Sequence, residues 1–103
     1  DPRCFMSLDR VPQQQQLLLI GGFNGNNYKN LGDFWLIEPN AQTSTAQAVP
    51  LKPEGIESFA GRRNHATAIS HDYGSRTTSI YIAGGFTEKG YSREVFELQL
   101  RDA

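Results

Sequence analysis

Ser70, His71 and Asp72 bring the three residue types of a nucleophilic triad into direct succession. Neighbours along a strand point to opposite faces, so this adjacency does not converge a nucleophile, a base and an orienting acid on one point. The segment reads instead as a strand end running into a turn. The other histidine, His65, opens a strand and is assigned to it rather than to an active site. Cys4 is the only cysteine. Nothing around it in sequence supplies a basic or helix-end environment that would activate a thiol, and it reads as a small apolar residue of the core or of a sheet edge. One cysteine and two histidines give no metal-ligand spacing of the usual kind, so no metal and no cofactor is expected. Gly21-Gly22-Phe23-Asn24-Gly25 has the glycine density of a phosphate loop, but it lacks the Lys-Ser/Thr ending and no helix follows. No catalytic residue is assigned, and the chain is expected not to be an enzyme.

The elements available to position a functional side chain are short strands. No long apolar stripe recurs at helical periodicity. β-prone runs alternate with Pro, Gly, Asn and Asp clusters, as in all-β folds. In a first unit, strand b is expected over 17–21, strand c over 33–38 and strand d over 46–51. In a second unit, strand a is expected over 65–71, with Ala66, Ala68 and Ser70 sharing a face, strand b over 79–83 and strand c over 94–100. Asn24-Gly25 is a turn dipeptide, because both residues tolerate positive φ, and 72–75 suits a hairpin turn. Pro12 and the run Gln13–Gln16 are expected in an exposed a–b loop, since four amides are not buried cheaply without partners.

The units are related by a repeat. Two apolar runs end in a glycine doublet, Gly21-Gly22 and Gly84-Gly85, 63 residues apart. Arg3 and Arg62, each followed three residues later by Met6 or His65, start the units 59 residues apart. After each doublet comes a polar loop with a tyrosine, then an acidic residue leading an aromatic strand: Asp33-Phe34-Trp35 and Glu94-Val95-Phe96. Glycines at a strand end permit positive φ and close backbone approach. Phe34, Trp35 and Phe96 are large enough to fill the space between stacked sheets, at ~150–250 Å² each. The arginines can donate to carbonyls or to an acidic neighbour, and Arg62, which matches the repeat, is assigned a structural role before any role in reading an acidic partner.

This pattern resembles the kelch repeat, the blade unit of kelch β-propellers, over nearly the whole chain. It departs from the family where strand c usually carries a Tyr and strand d a Trp, places taken here by Ile37 and about Ala46, and where Met6 stands for the commoner His. The resemblance implies an all-β fold of roughly two four-stranded antiparallel blades, a first over residues 1–58 and an incomplete second over 59–103. Closed propellers take roughly 4–8 blades, so a partial propeller is expected, with the remaining blades supplied by the same longer chain or by another. It further implies a protein–protein interaction module, a scaffold or substrate-recognition surface such as that of a ubiquitin-ligase adaptor or a cytoskeletal or assembly scaffold. The b–c loops (24–32 and 87–93) and the d–a link (54–61) would contact a protein partner, with Asn26, Asn27, Tyr28 and Lys29 in the first unit and Glu88, Lys89 and Tyr91 in the second. Tyrosine suits interfaces, although matching positions also suit Tyr28 and Tyr91 to packing the loop base. The runner-up is the non-catalytic propeller of a modular oxidase or transferase. A net charge of −1 gives no general attraction to nucleic acid or an anionic membrane. No apolar run reaches the roughly 20 residues of a membrane helix. A lone cysteine and the absence of any Asn-x-Ser/Thr acceptor point to an intracellular, cytoplasmic setting.

Overall fold

The computed structural model describes residues 2–11, 15–40, 42–51 and 59–101. They form nine strands: β1 (Ser7–Val11), β2 (Gln16–Asn24), β3 (Lys29–Asn40), β4 (Thr45–Leu51), β5 (Ala66–Asp72), β6 (Thr77–Ala83), β7 (Phe86–Thr87), β8 (Gly90–Tyr91) and β9 (Val95–Arg101). β1-β2-β3-β4 make a four-stranded antiparallel sheet and β5-β6-β9 a three-stranded one, with β7-β8 a small hairpin between β6 and β9. Among the described residues there is no helix, so none is long and apolar enough to cross a membrane.

The apolar alternation decides which face each strand buries. In β2, Leu18 and Ile20 are fully buried, while Leu17 and Leu19 turn to the other face and are half-buried. Val11, Leu18, Ile20 and Phe34 of the first sheet pack on Ile80, Ile82 and Leu98 of the second in one core. Each such aliphatic side chain contributes about 1.5–3 kcal/mol on leaving water. Phe59 bridges the sheets, its ring centroid 5.2 Å from Phe34 and 5.1 Å from Phe96.

Backbone hydrogen bonds also tie the segments at the loop end of the two sheets together. The Gly22 N–H donates to the Arg62 carbonyl at 2.8 Å, the Arg62 N–H to the Leu31 carbonyl at 3.0 Å and the Asn64 N–H to the Phe5 carbonyl at 3.0 Å. Gly21 sits at φ +65°, and a Cβ there would lie 2.7 Å from the Arg62 carbonyl oxygen, so both its backbone and its surroundings require glycine.

Several expectations change in detail. The first b–c loop is shorter than 24–32, because β2 runs on through Asn24 and β3 begins at Lys29; only 25–28 form the turn. The second loop is not irregular over 87–93, since β7 and β8 pair within it. Gln16 belongs to β2, paired with Val11, whereas Gln15 is an exposed turn residue and Pro12–Gln14 lie outside the described residues. So do residues 54–58 of the d–a link. Phe34 fills the space between the sheets, but Trp35 does not: it is the next residue in β3, and the period of two sends it to the opposite face beside Leu19. Cys4 is exposed, bridged through its backbone to Phe23.

Candidate functional site: the loop end of the two sheets

Two arginine clamps build this end of the molecule. Arg3 forks onto Asp33, with Nη1–Oδ1 2.7 Å and Nη2–Oδ2 2.9 Å, and also donates to the Gly21 carbonyl at 3.0 Å. Trp35 Nε1 donates to the same carboxylate at 2.8 Å. These donors, Arg3 first, hold the Asp33 carboxyl below its ordinary 3.8, against the opposing effect of burial. Arg62 holds the corresponding place one unit on, without the fork onto its acid. Its Nη1 donates to the Gly84 carbonyl at 3.0 Å and to Ser92 Oγ at 3.3 Å, Nε donates to the Ala60 carbonyl at 3.1 Å, and Nη2 lies 3.7 Å from Glu94. The side chain is completely buried, with its guanidinium 4.5 Å from the centre of the Phe59 ring and 5.0 Å from that of Phe96. Burial lowers the Arg62 pKa below its ordinary value, and Glu94 offsets part of this.

The sequence-assigned loop residues sit on this base. The N–H of Asn26 donates to Asn24 Oδ1 at 2.9 Å, which shapes the first turn. Tyr28 tilts against Phe23 at 6.4 Å, and Tyr91 stands edge-on to Phe86 at 5.1 Å. Both tyrosines thus lean on the loop base, yet they remain 81% and 89% exposed. Arg63 spans the units, 4.3 Å over Phe23 and 4.9 Å over Phe86.

Glu88, Lys89 and Tyr91 line a cleft of about 520 Å³ together with Asn30, Gly61, Thr87 and Ser92–Glu94. Asn26, Asn27, Tyr28 and Lys29 do not line it; they form the exposed rim of the first turn. Asn30 and Arg93 lie inside the contact segments 24–32 and 87–93 without being among the residues singled out there. Asn30 Oδ1 is buried without a hydrogen-bond partner among the described residues. Arg93 and Lys89 supply donors and Glu88 and Glu94 carboxylates. A side-chain amide at the first residues of a strand gives no signal in sequence, which is why Asn30 escaped notice. Among the described residues no three His, Cys, Asp or Glu side chains gather as a metal site. Ser70, His71 and Asp72 lie in β5 at successive register positions, with His71 Nδ1 2.9 Å from Thr78 Oγ1 rather than near Ser70. His65 Nε2 is 2.9 Å from Ser7 Oγ of the first sheet, an inter-sheet bond.

Comparison with family models, with curated proteins and with solved structures finds no match to this chain.

Proposed function

We propose that this chain is a segment of a kelch-type β-propeller acting as a protein–protein interaction module, with the loop end of its two sheets as the contact surface. Support for the repeat comes from the duplicated clamp: arginine, first doublet glycine and acidic residue meet in both units. Phe5 and Asn64, which correspond in the two units, share a left-handed φ of 58° and 57°. The observation that carries the functional reading is the pair of tyrosines. Tyr28 and Tyr91 come from corresponding loops, rest on corresponding phenylalanines and keep most of their surface free. Amphipathic side chains of few rotatable bonds on a rigid base lose little entropy on binding. The mixed charges of the adjoining cleft suit a polar peptide segment better than an apolar ligand. The free thiol of Cys4 fits a reducing, intracellular compartment.

The test is a photo-crosslinking amino acid placed at Tyr28, at Tyr91 and, as a control at the opposite end of the sheets, at Tyr73, which is 69% exposed. The same partner protein is expected from positions 28 and 91 and not from 73, with binding of the purified partner weakened about tenfold or more by Tyr91→Ala, the loss of one interface anchor. Equal capture at all three positions would remove the loop end as the contact surface.

A further inference from the structure

The two sheets meet through different faces. The first contributes Leu18, Ile20 and Phe34, the second Ile80, Ile82 and Leu98. Aligning β2 with β6 and β3 with β9 by their pairing register carries Leu17 to Ile80, Leu19 to Ile82, Trp35 to Phe96 and Ile37 to Leu98. The outer face of the first sheet therefore bears the residues that the second sheet buries against a neighbour. Here they are only half-buried, and Leu19, Trp35 and Ile37 line an open groove of about 210 Å³ with Arg3 and Ala48. The same alignment carries buried Leu18 to Tyr81 and buried Phe34 to Val95, on the outer face of the second sheet, where they are 39% and 68% exposed.

We infer that these two outer faces dock on each other between copies of this chain, head to tail, repeating the internal contact. The internal contact itself names the occupant. Inside the chain, Ser7 bonds His65 and Asp9 bonds Thr67 across the sheets. The corresponding pairs between copies are Ala66 with Met6 and Ala68 with Leu8. Both members of each pair change from polar to apolar together, and Met6 and Leu8 are 40% and 52% exposed. Leu36 and Ile69, packed on the internal core, become Glu97 and Arg10, which puts one charge of each sign on opposite faces. The backbone agrees. Gly21 and Gly84 share a left-handed φ, but where Gly21 is closed by the Arg62 carbonyl at 2.7 Å, the nearest atom a Cβ at Gly84 would meet among the described residues is 3.7 Å away. That space takes the Arg3 carbonyl of a second copy. A head-to-tail contact is heterologous, so it closes a ring or grows an open chain.

The inference rests on the stacked repeat proposed above and not on the loop surface. Its test uses the 103-residue chain in sedimentation velocity from micromolar to submillimolar concentration, with fluorescence read in parallel, since Trp35 is the only tryptophan. The expected result is at least a doubling of weight-average mass with concentration and a blue shift of Trp35 emission. Val95→Lys and Leu8→Lys change exposed side chains on opposite faces, and circular dichroism and melting confirm that each variant folds. Each alone is expected to stay monomeric, while their mixture forms a one-to-one dimer through the two intact faces. A wild-type chain that is monomeric throughout overturns the inference and leaves the face to a further repeat of a longer polypeptide. Association surviving both substitutions, or a mixture that stays monomeric, overturns it as well. Neither variant touches the loops, so cross-linking at Tyr28 and Tyr91 fails or succeeds independently.

Discussion

At the residue scale, the Arg3 and Arg62 side chains hold backbone carbonyls at the loop end. Arg62→Met orphans the Gly84 and Ala60 carbonyls and is expected to destabilise by about 2–4 kcal/mol in urea unfolding. Arg3→Met is expected to have the smaller effect, about 1–2 kcal/mol, because the Asp33 side chain is 37% exposed and keeps its Trp35 donor. Gly21→Ala and Gly84→Ala share the left-handed backbone penalty of about 1–2 kcal/mol. Only Gly21→Ala adds a collision with the Arg62 carbonyl, so it is expected to destabilise clearly more, measured as the difference between the two unfolding midpoints. His65 is held below its ordinary 6.5 by burial and by the Arg62 charge, which outweigh the Ile20 backbone bond and Asp9. The unfolded chain then takes up a proton that the folded chain resists. Stability from this group is complete above pH 6.5 and declines as pH falls below it. Urea midpoints are expected to drop between pH 7.5 and 5.5, and His65→Gln to flatten that drop; a midpoint that rises on acidification contradicts the assignment. Asp33 acts lower, its contribution present above 3.8 and lost as pH falls from there through its depressed value.

Element by element, the strands were legible because their apolar runs are short, alternating and closed by glycine, proline or asparagine. β2, β4, β5, β6 and β9 lie within two or three residues of where the pattern places them. The arginine–acid–glycine unit was legible as a spacing, and the fork of Arg3 on Asp33 follows from the guanidinium itself. Trp35 was misplaced because residue type says that an aromatic is buried, while only the pleat says on which side. The loop ends were misjudged because pairing of β2 with β3 continues past a bulge at Gly21-Gly22, and a bulge depends on the approach of Arg62 from the other unit. Asn30 and Arg93 fall within the segments assigned to contact, but tertiary placement singles them out as cleft residues. Phe59, outside any strand, joins the two sheets through Phe34, Phe96 and Arg62. Phe59→Ala is expected to lower stability by about 2–4 kcal/mol and Phe59→Leu by about half as much, read from denaturant midpoints at unchanged slope.

For the whole molecule, the account stands on two units of one design stacked through unlike faces. That arrangement puts corresponding loops at one end, where the proposed partner contact lies, and leaves one unlike face of each sheet outermost. The units are joined by the core cluster, the Phe59 bridge, Arg63 over Phe23, the side-chain bonds Ser7–His65 and Asp9–Thr67, and backbone bonds from Gly22, Arg62 and Asn64. None of these three amides bonds within its own unit, so each reports on stacking alone. Residue-resolved amide hydrogen exchange in the native protein tests this most directly. Protection of Gly22, Arg62 and Asn64 comparable to that of Leu18 and Ile80 in the sheet interiors is predicted, with loss of all three together in Phe59→Ala. Exchange of these amides at the rate of the Asn26–Tyr28 turn, while each sheet stays protected, would mean two independent sheets and would contradict the stacked repeat.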